Sequence, residues 1–177
     1  MNIASRPIAA AALLLAGIAS PALAELPAGE RAPVFTAKAA MAGEEFGFSL
    51  RAALAKGAVV LYFYPKAFTK GCTLEANAFA DAMPQFRAAG ASVIGMSGDD
   101  IETLKRFSRE ECRDAFPVGT ASARLIEAYD VALGQGDLAS RTSYVIAPDG
   151  RIAYVYSSGD YREHVSRTLA AVKSISK

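Results

Sequence analysis

Across 177 residues, 19 lysines and arginines are set against 18 aspartates and glutamates, a formal charge of +1 that no stripe of the sequence concentrates. That balance excludes the electrostatic footprint of a nucleic-acid binder, and the absence of a sustained basic amphipathic helix leaves membrane-surface docking unsupported. Beyond the leader described next, about 150 residues remain, enough for one domain with its own hydrophobic core.

Residues 1–24 read as a cleaved secretory signal. Arg6 supplies the positive start, Ile8 to Ala19 is almost purely apolar, and Ala22 and Ala24 are the small residues a signal peptidase needs. The apolar run is shorter than the roughly 20 residues of a spanning helix. The alternative is a retained anchor, but no basic stop-transfer flank follows. The mature chain, 25–177, is then expected as one exported, periplasmic domain. It carries two cysteines, Cys72 and Cys112. An even count in an oxidising compartment commonly signals a disulfide. Such a bridge could add on the order of 4 kcal/mol in the chain-entropy picture, yet a core of this size does not require it.

Residues 34–54 hold short apolar stretches broken by Gly43 and Gly47, read as edge strands or a hairpin followed by a helical turn. Ala58 to Tyr64 is apolar without alternation, the pattern of a strand buried on both faces of a mainly parallel sheet, and Pro65 ends its ladder. Cys72 to Ala89 is read as helix, with Phe79, Met83 and Phe86 inward, Pro84 bending or dividing it, and Gly90 as its stop. Ala91 to Ser97 is a second strand. Asp99 and Glu102 are read as a capping pair for a helix from Asp100 to about Glu111, with Cys112 at its end. Phe116-Pro117-Val118 reads as an edge strand, Ala121 to Tyr129 as a helix, and 134–140 as a loop. Thr142 to Ala147 and Arg151 to Ser157 form a hairpin across Pro148-Asp149-Gly150, and Asp160 with Glu163 caps a last helix bearing Val165, Leu169 and Val172. This order predicts an α/β thioredoxin-like fold, a mixed central sheet with helices on both faces.

The chemistry gathers at the join between the first buried strand and the helix after it. A cysteine at a helix N-terminus has its thiolate favoured by unpaired N–H groups and the helix dipole. On position alone, a reactive Cys72 and a structural one stand level. Thr69 and Pro65, at three and seven residues before it, add a hydroxyl able to hydrogen-bond a small oxygen-containing substrate and a rigid shield for the sulfur. His164, the lone histidine, is expected at the surface or an interface. Two cysteines forty positions apart with no nearby histidine give a metal no ligand set.

Pro65-Lys-Ala-Phe-Thr69-Lys-Gly-Cys72 resembles the active-site pattern Pro-x-x-x-Thr-x-x-Cys of the peroxiredoxins. The flanking Leu61-Tyr-Phe-Tyr64 and Thr73-Leu-Glu75 are similar to the bacterioferritin-comigratory, or Q-type, branch. Arg141-Thr-Ser-Tyr-Val-Ile-Ala-Pro-Asp-Gly150 is similar to the family's arginine-bearing strand and hairpin. The resemblance implies a thiol-dependent peroxidase without metal, haem or flavin, acting on hydrogen peroxide and small organic hydroperoxides. Cys72 would attack the peroxide, Arg141 would favour the thiolate and the charge developing on oxygen, and Thr69 with N–H groups near Gly71 and Cys72 would hold the substrate. Pro65 would shield the site and Glu75 would orient the arginine, unless Glu75 is an exposed helix carboxylate. The resulting sulfenic acid must be resolved. Asn77 occupies the position five residues on where many members carry the resolving cysteine, so the resemblance passes that role to Cys112, with local unwinding to let the sulfurs meet. A thioredoxin-like or other dithiol donor would then reduce the disulfide, in a monomer or weak dimer. Two rivals remain at this stage: a thiol-disulfide oxidoreductase, which would want a Cys-x-x-Cys that this helix start lacks, and a non-catalytic protein with a structural Cys72–Cys112 bridge.

Overall fold

The computed structural model describes residues 25–134 and 136–176; the expected signal segment lies outside the described residues. The chain opens with a hairpin of β1 (Thr36–Met41) and β2 (Glu44–Ser49) and a short helix α1 (Leu50–Leu54), whose Ala52 N–H donates to the Ser49 hydroxyl. There follow β3 (Ala58–Phe63), α2 (Lys70–Ala88), β4 (Ala91–Ser97), α3 (Ile101–Glu110), β5 (Val118–Thr120) and α4 (Ala123–Ala128). The hairpin of β6 (Thr142–Ile146) and β7 (Ile152–Ser157) comes next, and a 3-10 turn at Tyr161–Glu163 leads into α5 (His164–Ile175).

The strands form one sheet in the order β2-β1-β5-β4-β3-β6-β7. β3 pairs parallel with β4, setting Val60 opposite Val93, and antiparallel with β6, setting Leu61 opposite Tyr144. The sheet is therefore mixed on the two sides of β3, and the expected α/β thioredoxin-like arrangement is the one observed. Every residue of β3 is buried, because side chains alternate to two covered faces. Val60 and Tyr62 meet Phe79, Met83 and Phe86 of α2, Leu104 and Phe107 of α3, and Leu169 and Val172 of α5. Val59, Leu61 and Phe63 point the other way, to Leu50 and Leu54 of α1 and Leu125 and Ile126 of α4. Gly90, at φ +72°, ends α2 in the left-handed conformation that glycine adopts without cost.

Several local expectations need correction. β5 is an interior strand between β1 and β4. Pro117 misdirects the reading because it precedes the strand, where only its carbonyl is used, accepting from Gly95 N–H at 3.1 Å. α2 begins at Lys70 and runs unbroken through Pro84, which lies on its exposed side. Asp100, rather than Asp99, caps α3, accepting from Thr103 N–H at 2.9 Å, and Glu102 instead pairs with Lys105 at 3.1 Å. Asp160 caps the 3-10 turn through Arg162 N–H at 3.1 Å, and α5 starts without a side-chain cap. Its buried face is His164, Thr168, Leu169 and Val172; Val165 is only half-buried.

Phe79 stacks on Tyr62 with ring centroids 4.4 Å apart, joining α2 to the sheet. Phe79→Ala is expected to destabilise the protein by about 3–5 kcal/mol, seen as a lower urea midpoint at an unchanged slope.

Candidate active site

The site is built where β3 hands the chain to α2. Pairing with β4 continues one residue past the strand, Tyr64 N–H donating to Met96 O at 3.0 Å, and then Pro65 withdraws the next donor. The half-buried Pro65 borders a surface depression with Gly98, Asp99 and Asp137. The loop after it is anchored by Asp99, whose Oδ2 accepts from Ala67 N–H at 2.7 Å and from the Ser97 hydroxyl at 2.8 Å. Phe68 holds a left-handed φ of 61°, a conformation costing a non-glycine residue about 1–2 kcal/mol. Its ring meets Phe107 edge-on at 5.2 Å, and the Arg106 guanidinium lies 5.1 Å from its centroid. These contacts offset the strain and deliver Thr69 to the N-cap position of α2.

Thr69 is extended and exposed, and its hydroxyl donates to Lys66 O at 3.0 Å instead of capping the helix. The first helical bond, Thr73 N–H to Thr69 O at 2.9 Å, leaves the N–H groups of Gly71 and Cys72 without an intrahelical acceptor. Cys72 is third in the helix and 2% exposed. A thiolate there faces the positive end of the helix dipole.

Arg141 arrives from just before β6. Strand parity sets 141, 143 and 145 on one face, and Val145 packs on the side where α2 and α5 lie. The Arg141 Nη2 donates to Cys72 Sγ at 3.5 Å, Nε donates to Gly159 O at 3.2 Å, and Nη1 donates to Glu75 Oε2. Gly71 makes this approach possible, since a Cβ at that position would stand 3.1 Å from Nη2. Glu75, one turn after Cys72, is fully buried, which decides against an exposed carboxylate. Burial pushes its pKa up to about 8, against the downward pull of the Arg141 charge and hydrogen bond.

The structure thus brings Gly71, Cys72, Glu75 and Arg141 into contact and puts Thr69 at the mouth of the same helix. Cys112 lies just past α3, fully buried, within the apolar cluster that also holds Cys72, Tyr62, Tyr64 and Phe116. Both cysteines are free. Burial pushes the Cys112 thiol far above its ordinary value, and Glu111 and Asp114 add to the effect. Arg113 and Asp114, next in sequence, both hold left-handed φ, 51° and 57°. Four hydrogen bonds tie this segment to α2: Asn77 Nδ2 donates to Glu111 Oε2 at 3.1 Å, Arg113 Nη2 donates to Asp81 Oδ1 at 2.6 Å and to Asn77 O at 2.9 Å, and Arg87 Nη2 donates to Ala115 O at 2.6 Å.

His164 is the main correction to the expected site, being fully buried behind Glu75 instead of exposed. The sequence did hold a signal for it, because His164, Thr168 and Val172 are spaced at i, i+4, i+8 along the inward face of α5. The loop anchor Asp99 and the bridging Asn77 and Arg113 had no comparable pattern to reveal them. Among the described residues no three His, Cys, Asp or Glu side chains are grouped to hold a metal.

The sequence profile of the AhpC/TSA family matches residues 28–155. Chloroplastic peroxiredoxin Q of Oryza sativa subsp. japonica is 33% identical over 150 residues, 83% of this chain and 67% of that protein. Peroxidoxin BcpB from Mycobacterium tuberculosis superposes with a TM-score of 0.75 at 30% identity, covering 84% of this chain and 97% of that one. The bacterioferritin comigratory protein of Xanthomonas campestris, a protein with alkyl peroxide reduction activity, gives a TM-score of 0.69 at 30% identity over 79% of this chain and 92% of that one. On these likenesses, which span the sheet and the cysteine-bearing helix start together, the chain belongs to the AhpC/TSA family as a thiol-dependent peroxidase of the peroxiredoxin Q/Bcp type.

Proposed function

We propose that Cys72 is the peroxidatic thiol and that its substrates are hydrogen peroxide and small organic hydroperoxides. The observation that carries this reading is the 3.5 Å contact between Arg141 Nη2 and Cys72 Sγ. A cation held against the sulfur favours the thiolate and then the charge that grows on the departing oxygen. The near-complete burial of Cys72 fits a substrate of few atoms, and the alkyl peroxide reduction of the Xanthomonas relative supports extending the class to organic hydroperoxides.

In the proposed step the thiolate sulfur attacks one peroxide oxygen and an S–O bond forms as the O–O bond breaks. The bonding pair leaves with the other oxygen, which takes a proton to become water or an alcohol. Sulfur is oxidised by two electrons to the sulfenic acid and the peroxide is reduced by two. The unpaired N–H groups of Gly71 and Cys72, with the Thr69 hydroxyl, would hold the oxygens in line, and Pro65 would fence the entrance. Cys112 would then displace hydroxide from the sulfenic sulfur to form the disulfide, water leaving after protonation, and a thioredoxin-like or other dithiol donor would restore both thiols by exchange.

A fully buried Cys112 whose thiol is held protonated is a poor nucleophile in place. Resolution therefore requires the segment from Cys112 to Phe116 to open. Its two left-handed residues carry backbone strain, and the arginine bonds that tie it to α2 run through the exposed side chains of Arg87 and Arg113, so opening breaks contacts that water can replace. We further propose that the enzyme acts as a monomer or weak dimer in the periplasm after removal of residues 1–24, on the charge, apolar run and small residues of that segment.

Five variants test this reading. Cys72→Ser is expected to lose peroxide consumption, while Cys112→Ser forms the sulfenic acid but no intramolecular disulfide, both followed by mass spectrometry after peroxide addition; undiminished turnover in Cys72→Ser would sink the assignment. Arg141→Ala is expected to slow the first oxidation by about 10²–10³-fold in stopped-flow measurements while leaving the unfolding midpoint measurable. Gly71→Val, which drives a side chain into Nη2, should slow the same step with Arg141 still present. Arg113→Ala is expected to speed disulfide closure by about two- to fivefold without changing the first step, in line with the small worth of an exposed ion pair.

A further inference from the structure

Behind the Cys72–Arg141 contact lies a second polar cluster that the peroxidase reading leaves unused. Glu75 turns Oε2 toward Arg141, while its Oε1 is buried without a hydrogen-bond partner and lies 3.7 Å from Nδ1 of His164. His164 Nε2 stands 3.1 Å from the Ser158 carbonyl, which can only accept, so that nitrogen carries a hydrogen. Nδ1 stands 2.8 Å from the Ser143 hydroxyl, which can donate or accept as it rotates. The other groups facing the imidazole are the Tyr156 ring of β7, edge-on at 4.8 Å, Arg141 ahead of β6, and Asp160 in the turn ahead of α5. An acceptor buried with nothing to accept costs about 1–3 kcal/mol. A hydrogen on Oε1 removes the negative charge from that oxygen, and one on Nδ1 offsets it with an imidazolium 3.7 Å away.

Charge balance points the same way. With Cys72 as thiolate and Glu75 as carboxylate, a single guanidinium would face two anions away from water. With one proton between Glu75 and His164 the pair is neutral whichever atom holds it, and the charge of Arg141 is left to the sulfur. We propose that Glu75 and His164 share a single proton between Oε1 and Nδ1 in the reduced enzyme, Ser143 turning its hydroxyl to suit, and that His164 is thereby a positioning residue for the Arg141–Cys72 contact. The inference rests on Cys72 as the reacting thiol. Burial raising Glu75 to about 8 and holding His164 down at about 4 agrees with it, and puts the proton chiefly on the carboxyl at neutral pH.

His164 is the single histidine of the chain, so ¹⁵N-histidine labelling of the whole protein reports on it alone. In the reduced enzyme its Nδ1 resonance is expected to change with a midpoint near the Glu75 value of about 8. E75Q should abolish that transition, and C72S should move it to lower pH by about one unit, since Arg141 then acts on Glu75 alone. E75Q should also keep the Cys72 thiolate absorbance at neutral pH within about twofold, because a neutral amide replaces a pair that was already neutral. A His164 signal indifferent to E75Q overturns the proposal. So does a rise of about tenfold in the thiolate-to-thiol ratio in E75Q, the response to removing a full negative charge from beside Arg141. None of these readouts needs turnover; should Cys72→Ser keep its peroxidase activity, the functional assignment fails while the spectra still decide the shared proton.

Discussion

A guanidinium almost sealed from water must have each of its donors answered, and the arrangement of this protein around Cys72 follows from how Arg141 is answered. Its side chain is 8% exposed, and its partners come from three separate places: the start of α2, one turn further along it, and the Gly159 carbonyl beyond β7. Removing any one of these acceptors leaves a buried guanidinium donor unanswered, at about 1–3 kcal/mol. The Arg141–Glu75 pair is a poor source of net stability and a strong source of geometric constraint. It fixes the azimuth of α2 against β6, because only one rotation of the helix points Gly71, Cys72 and Glu75 together at the same residue.

The side of the sheet that carries this pair is otherwise aromatic. Tyr62, Tyr64, Phe79, Phe107 and Phe116 form a slab that has both cysteines at its margin. The Tyr62 and Tyr64 hydroxyls are buried there without partners, and burial, with the nearby Cys112 as the next contribution, pushes both phenols well above their ordinary range. The active loop is anchored through the half-buried Asp99 and the Phe68 ring, whereas the arginine bonds that hold the Cys112 segment to α2 run through the exposed side chains of Arg87 and Arg113.

The sequence revealed most where physics leaves a periodic trace. The unalternating run of β3, the inward stripe of α2 and the stop at Gly90 were all readable, as was the join that presents Cys72 to a helix start. Arg141 became a candidate through family resemblance, since nothing in a local window says which distant strand will lie beside a given helix. The same limit explains β5: a proline at its threshold argued for an edge, but neighbours on both sides come from remote segments. Asp99 and Asp100 are chemically the same residue in adjacent places, and the cap goes to whichever backbone angle fits, leaving the other free to hold the loop. His164 was misplaced because a polar residue on an amphipathic helix is usually solvated; its burial depends on Glu75, Ser143 and Ser158 arriving from three other elements.

The burial of the two sulfurs has a bearing on selectivity by size. Cys72 is 2% exposed and Cys112 is fully enclosed, so neither can be approached by the bulky disulfide of another protein while the fold is closed. Gly71 presents no side chain of its own beside Cys72, and the space a Cβ there would take is met by the Arg141 guanidinium at 3.1 Å. On the proposed chemistry, this burial would favour a small oxidant over macromolecular thiol exchange in the closed fold. On the proposed cycle, exchange of the Cys112 sulfur with a protein partner would have to wait until the segment after α3 had opened.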